Sequence, residues 1–216
     1  DDVVKNIISN RPYNSFEDFL NRMVLCENSL IKNSQMVQLI KAGCFDELIN
    51  KPRVEIMKDY LNQIYEPKND LGLRNINNVI EANLVPEDKQ IYFRYYNFKN
   101  YITGKEFVYE LIPSKKPTKK GYSDRLIKLD DIAYQFYQEH FSEDNIVEYY
   151  DNTIIISENK FIKEYNKKME DFKIWIGNDE LLKKYNNYLY QEAWNKHAKG
   201  SISKWEMDSL CFYYTK

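Results

Sequence analysis

Apolar residues recur along this chain mostly at helical spacing. Phe16, Phe19, Leu20 and Met23 fall at i, i+3, i+4 and i+7, one face of a helix, and Ser15 with Asp18 three residues on supplies its capping signal. Met36, Leu39 and Ile40 continue the pattern until Gly43 ends it. Pro52 opens the next stripe, Val54, Met57, Leu61 and Ile64, and Pro67 stops it. Residues 69–72 then read as a turn and a domain boundary. Ile91, Tyr95, Phe98 and Ile102 form a further stripe closed by Gly104. Phe107, Tyr109 and Leu111 alternate with Val108 and Glu110, which fits a short strand or a helix extension. A helix is predicted near Asp130 to Phe141, and Thr153 to Ser157 is the one strong β-like run. Ile162, Tyr165, Met169 and Phe172 begin a long helix stopped at Gly177, and Leu182, Tyr185 and Leu189 mark an antiparallel partner ending near Gly200. A last helix carries Trp205 and Leu210 behind a capping box, Ser203 with Glu206.

Composition narrows this picture. A chain of 216 residues with 43% hydrophobic content can bury one large core or two small ones. The formal net charge of −2 means that any nucleic-acid surface must be a local patch balanced by acid elsewhere. Cys26, Cys44 and Cys211 are scattered, no CxxC occurs, and only His140 and His197 could assist them, which argues against zinc. Reduced, buried thiols in a cytoplasmic protein are expected. No apolar run has membrane-spanning length. The first residue is Asp1, not Met, which points to a fragment. The abundance of Tyr and Asn and the scarcity of Ala fit codon bias in an AT-rich genome.

Candidate chemistry is sparse. Lys115, Lys116, Lys119 and Lys120 lie in a Pro- and Gly-bounded loop, with Arg125 and Lys128 beyond it. This most basic stretch fits either a phosphate contact or an ordinary solvated loop. Tyr92, Tyr95, Tyr96 and Phe98, beside Arg94 and Lys99, could stack on single-stranded bases, but their spacing favours core packing. The same reading applies to Tyr149, Tyr150, Tyr185 and Tyr188. His140 and His197 are expected at the surface or half-buried. Asp130 and Asp131 are adjacent, so on a helix they diverge; a capping role is expected rather than metal binding. Phosphate-cradling glycine loops and Ser-His-Asp spacings are absent.

Three stretches carry a resemblance. They are residues 11–22 (RPYNSFEDFLNR), 39–48 (LIKAGCFDEL) and 204–214 (KWEMDSLCFYY). In this order they resemble the alpha subunit of bacterial DNA polymerase III, the replicative C-family polymerase. The likeness covers about residues 1–65 and 196–216. The middle, about 66–195, is longer than the connection the family has there, and it reads as a lineage-specific insertion of bacterial or viral origin. The glycines of the family's first hairpin would precede residue 2, so that hairpin is expected to be incomplete.

The resemblance implies a mainly α fold: a helix-hairpin-helix unit over 1–66, then a helical domain over 67–216 with at most a small β element. The second domain would hold the insertion, about 67–195, and a terminal helix, 201–215. A helix-hairpin-helix grips phosphate with backbone N–H groups at a Gly-containing turn, aided by the helix dipole. Such contacts position a duplex without reading its sequence. The expected DNA-binding residues are Lys41, Ala42 and Gly43, together with Lys115, Lys116, Lys119, Lys120 and Arg125. Gly43 has a second reading as a plain helix terminator, with Cys44 and Phe45 in the core.

The family's catalytic carboxylates lie upstream of the matched region. No catalytic residue, metal or cofactor is therefore expected, and this chain by itself is expected not to be an enzyme, although the full-length relative is a DNA-directed DNA polymerase. The expected function is sequence-independent binding of primer–template duplex by a non-catalytic polymerase fragment during replication. The alternative is a helical interaction or spacer module that docks another replication protein. Expected partners are double-stranded primer–template DNA and other replisome proteins, with no membrane. A DNA glycosylase would share only the hairpin and would need a catalytic Asp behind it, which cannot be placed here.

Overall fold

The structure, a computed structural model, describes residues 2–26, 29, 31–115 and 121–213. Its helices are α1 (Asp2–Ser9), α2 (Phe16–Met23), α3 (Asn33–Lys41), α4 (Arg53–Ile64), α5 (Ile76–Glu81) and α6 (Gln90–Ile102). After these come α7 (Asp131–His140), α8 (Glu158–Lys168), α9 (Glu170–Ile176), α10 (Asp179–His197) and α11 (Ile202–Leu210). Four strands, β1 (Val108–Pro113), β2 (Tyr122–Lys128), β3 (Ile146–Tyr150) and β4 (Thr153–Ser157), and four short 3-10 turns complete the described elements. The chain divides into two compact units, one of residues 1–69 with 183–216 and one of residues 70–182.

The first unit is all helical among its described residues. Ser15 caps α2 as expected: its Oγ accepts the Asp18 N–H at 3.0 Å, and the Asp18 carboxylate accepts the Asn14 N–H at 3.0 Å. The apolar face of α2 buries Phe19, Leu20 and Met23, with Phe19 edge-on to Phe45 at 5.0 Å. Met36, Val37 and Ile40 of α3 join Ile56, Met57, Tyr60 and Leu61 of α4 and Trp205 of α11 in the same core. Burial of each such large side chain stabilises by about 1.5–3 kcal/mol. The indole N–H of Trp205 donates to the Ala198 carbonyl at 3.1 Å, so its polar end is satisfied too.

Helix α11 begins differently from the expected box. Ser201, not Ser203, is the cap, accepting the Lys204 N–H at 3.2 Å. Glu206 is fully buried and serves another partner.

The second unit packs helices on a four-stranded antiparallel sheet ordered β1-β2-β4-β3. Ile154, Ile155 and Ile156 are all buried because β4 is a central strand with both faces covered. An aromatic cluster of Phe98, Tyr137, Phe141 and Phe161 ties α6, α7 and α8 together, with ring centroids 4.9–6.5 Å apart for the contacting pairs. The chain is mainly helical, as expected, and the alternating 107–111 segment resolves as the strand β1. The sheet is larger than the 153–157 run and the 107–111 segment by themselves suggest, since β2 and β3 join them. The expected long helix through Met169 is broken there: Met169 closes α8 and opens α9.

Candidate nucleic-acid interface

The Lys41–Gly43 turn is built by local backbone rules. Ala42 is the C-cap of α3, the Gly43 N–H donates to the Ile40 carbonyl at 3.0 Å, and the Cys44 N–H donates to the Leu39 carbonyl at 3.1 Å. This pair of bonds is a Schellman ending, which needs a left-handed residue, and Gly43 has φ +77°. A Cβ at Gly43 would also lie 2.5 Å from Arg53 Nη2 and 2.8 Å from Asp46 Oδ2. The Ala42 N–H donates to the Gln38 carbonyl at 2.9 Å. The amides of Ala42, Gly43 and Cys44 are thus all used inside the helix ending, and what the turn can offer an anion is the Lys41 side chain. Phe45 is in the core, but Cys44 is exposed.

Behind the turn lies a charged cluster that sequence reasoning missed. The Arg53 guanidinium donates from Nε to both Asp46 carboxylate oxygens, at 3.1 and 3.2 Å, and from Nη2 to Asp46 Oδ2. Its Nη1 donates to Glu206 Oε1 at 2.9 Å and to the Lys41 carbonyl at 3.2 Å. The Asp46 hydrogen bonds hold the Arg53 pKa up against burial, with Glu206 adding to them. The motif reading gave Glu206 a capping role with Ser203, and nothing local marks Arg53, because the two meet only through the tertiary fold.

Positive groups crowd beside this turn. Burial, and then the Lys204 ammonium, hold the Lys41 pKa down, while Asp208 opposes them. His197 is held below its usual value by burial, then by Lys196 and Lys41. Lys204 is balanced by Asp208 at 3.3 Å. Among the described residues Lys41 has no ion-pair partner of its own, so its half-buried ammonium remains available to an anion.

The remaining expected DNA contacts fare unequally. Lys115 is exposed where β1 leaves the sheet, and Lys116, Lys119 and Lys120 lie outside the described residues. Arg125 is turned inward. Its Nε and Nη2 donate to the two Glu158 oxygens, both at 2.6 Å, and Nη2 also reaches the Thr103 carbonyl at 3.0 Å. The Glu158 hydrogen bonds raise its pKa against burial. Its charge is therefore neutralised within the unit. Lys128 places its ammonium 3.7 Å from the Tyr150 ring centroid.

Aromatic residues divide in the same way. Tyr92 stacks on Phe172, Tyr95 meets Phe136 and Phe141, Phe98 is buried, and so is Tyr185. Tyr149 and Tyr150 break the core-packing expectation, because β3 is an edge strand whose side chains reach water, Tyr149 at 64% exposure. The thiols break it too: Cys26 is only half-buried, and Cys211, like Cys44, is exposed. Asp130 caps α7, accepting the Ala133 N–H at 2.7 Å, and also accepts the Tyr101 hydroxyl at 2.6 Å. His140 and His197 are both half-buried. Among the described residues no group of three or more His, Cys, Asp or Glu side chains is placed to hold a metal ion. No described helix is long and apolar enough to cross a membrane.

Two polymerases match this chain along nearly its whole length. Over 214 residues it is 45% identical to "Probable DNA polymerase YorL" of Bacillus subtilis (strain 168) and to "DNA-directed DNA polymerase" of Bacillus phage SPbeta. Each match covers 99% of this chain and 15% of the relative, so the chain spans a small part of those proteins. The segment 66–195, which carries no recognised motif, is included in the match. No family model and no solved structure matches. These relatives overturn one expectation. The reading that this chain is not an enzyme does not stand, because proteins related to it along 99% of its length are named as DNA polymerases, which are enzymes. That reading rested on the lack of a carboxylate set, which speaks only to the segment in hand.

Proposed function

We propose that this chain is a segment of a DNA polymerase and that it grips primer–template duplex through phosphate contacts during replication. The observation that carries this reading is the 45% identity to two named polymerases over 99% of the chain. The likeness of residues 11–22, 39–48 and 204–214 to the alpha subunit of bacterial DNA polymerase III refines it toward a C-family enzyme. The geometry adds the Lys41 ammonium, without an ion-pair partner among the described residues and close to His197, Lys204 and Asp208, and the exposed Lys115 at the mouth of the β1–β2 loop. These are charges without base-reading side chains, which suits positioning rather than sequence recognition.

The test is fluorescence anisotropy of a labelled primer–template duplex titrated with the chain at several salt concentrations. Binding should be insensitive to sequence, with a log–log salt slope of about −0.9 per phosphate contact. Absence of binding at low salt overturns the reading. A second reading, a docking surface for another replication protein, is favoured by the water-facing Tyr109, Leu111, Val147 and Tyr149 on the two edge strands. Retention of such a partner by the chain, lost when Tyr109 and Tyr149 become Ser, would support it.

A further inference from the structure

Helix α8 has two unlike faces. Phe161 and Tyr165 are buried in the aromatic core, whereas Lys160, Lys163 and Lys167 point to solvent. At 1.5 Å rise per residue the three lysines span about 10 Å of one helix face. They line one surface cavity of about 480 Å³ between α8 and the turn that precedes β3.

The charge in this cavity is unbalanced. Two carboxylates share it, those of Glu164 and Asp144. Glu164 is already committed: it accepts the Ser142 N–H at 3.1–3.2 Å and the Asn145 amide at 2.5 Å, and it pairs with Lys168 at 3.5 Å. Lys160 is fixed in place by donating to the Asp144 backbone carbonyl at 3.1 Å, a bond that leaves its charge uncompensated. Lys163 and Lys167 have no hydrogen-bond or ion-pair partner among the described residues. Three ammonium groups thus face one remaining carboxylate. A solvated lysine face alone would not need a concave seat, nor one acid drawn away from it by three internal partners.

We propose that the Lys160–Lys163–Lys167 ridge is a second phosphate-backbone contact of the chain, lying in residues 70–182 and separate from the Lys41 turn. The complementary ligand is a polyanion with closely spaced singly charged groups, which nucleic-acid phosphates provide. The proposal rests on the duplex-contact reading given above and adds a place to it. The ridge positions the backbone and reads no sequence.

The experiment compares the full chain with the double variant Lys163→Ala, Lys167→Ala in duplex anisotropy across salt. Both lysines are exposed, so circular-dichroism melts should coincide. The variant should bind several-fold more weakly, with a slope shallower by about 1.8, that is, about 0.9 for each lost contact. If the unsubstituted chain binds duplex and the variant binds equally with an unchanged slope, the ridge assignment fails and the duplex reading stands. If the unsubstituted chain does not bind duplex at all, both fail together. A third arm uses polyglutamate as competitor: displacement at the ridge as effective, per charge, as that by unlabelled duplex would overturn the assignment in favour of an acidic protein.

Discussion

Arg53 and Glu206 stand 153 positions apart in the chain and 2.9 Å apart in space. Both are buried, Glu206 completely. Two charges removed from water are tolerated only when paired and hydrogen-bonded. Here Asp46 and the Lys41 carbonyl take the other guanidinium donors, so the pair fixes α4, α11 and the end of α3 in one arrangement.

The first prediction follows from that asymmetry. Glu206→Ala leaves the Arg53 charge short of a buried partner and should cost about 3–5 kcal/mol, read as a lower urea midpoint. Replacing both, Arg53→Met with Glu206→Leu, should recover much of the loss, because the apolar pair carries no desolvation cost. A Glu206→Ala variant within about 1 kcal/mol of the unsubstituted chain would show that the pair is not structural.

Two glycines share φ +77° but not their surroundings. Gly43 faces the Arg53 guanidinium and the Asp46 carboxylate, while among the described residues no atom lies within 4 Å of a Cβ at Gly121. Gly121→Ala should cost only the left-handed backbone term, about 1–2 kcal/mol. Gly43→Ala should cost more, because it also disturbs the Arg53 cluster. Thermal melts of the two variants decide the order, and equal losses would mean that Arg53 yields freely.

The start of α11 offers a sharper discrimination. Ser201→Ala removes the oxygen that accepts the Lys204 N–H and should cost about 1 kcal/mol, whereas Ser203→Ala should stay within about 0.5 kcal/mol. Denaturant midpoints that reverse this order would restore the Ser203 box.

These cases show what the sequence could and could not disclose. The α2 stripe, its Ser15 cap and the Gly43 ending are local, governed by residues within a few positions, and all three were legible. Strand β4 was legible because both its faces are buried. Strand β3 was not, since an edge strand with water-facing Val147, Glu148, Tyr149 and Tyr150 lacks the alternation of a half-buried one. Strand β2 carries Asp124 and Arg125, whose carboxylate and guanidinium are met by Ser157 and Glu158, each 33 residues away. The same distance hid the role of Arg125 and of Glu206. A side chain's charge is visible in the sequence, but the partner that consumes it is not.

Acid should weaken the second unit through His140. Burial first, then Arg94 and Lys168, hold its pKa below the usual 6.5, with Glu139 opposing. Its Nε2 is buried without a hydrogen bond among the described residues, Glu139 Oε2 stands 3.6 Å away, and the Tyr95 and Phe136 rings lie against it. The folded state therefore prefers the neutral ring, and between the folded pKa and 6.5 the unfolded chain binds more protons. The contribution is complete above 6.5 and is lost as pH falls toward the folded value. Melting temperature should drop from about pH 7 to about pH 5, and His140→Phe should flatten that slope. An identical slope in the variant would show that His140 does not carry the acid loss.

Arg125 and Lys41 should separate stability from binding. Arg125 spends its donors on Glu158 and Thr103, and both partners of the ion pair are mostly shielded from solvent, at 17% and 21% exposure. Arg125→Ala should lower stability by about 1–2 kcal/mol, since a charge-assisted pair is lost at a half-shielded site. It should leave the salt slope of duplex binding unchanged, because a neutralised guanidinium releases no counterion. Lys41→Ala should do the reverse. Its ammonium is unpaired among the described residues, so melting should barely move while the slope becomes shallower by about 0.9. Glu158→Ala supplies the control that links the two. Freed from its carboxylate, Arg125 would become available to phosphate, and duplex binding should tighten at low salt even as the fold weakens. Unchanged binding in Glu158→Ala would mean that Arg125 lies off the DNA path altogether, and that the grip is carried by Lys41 and the lysines of the β1–β2 loop and α8.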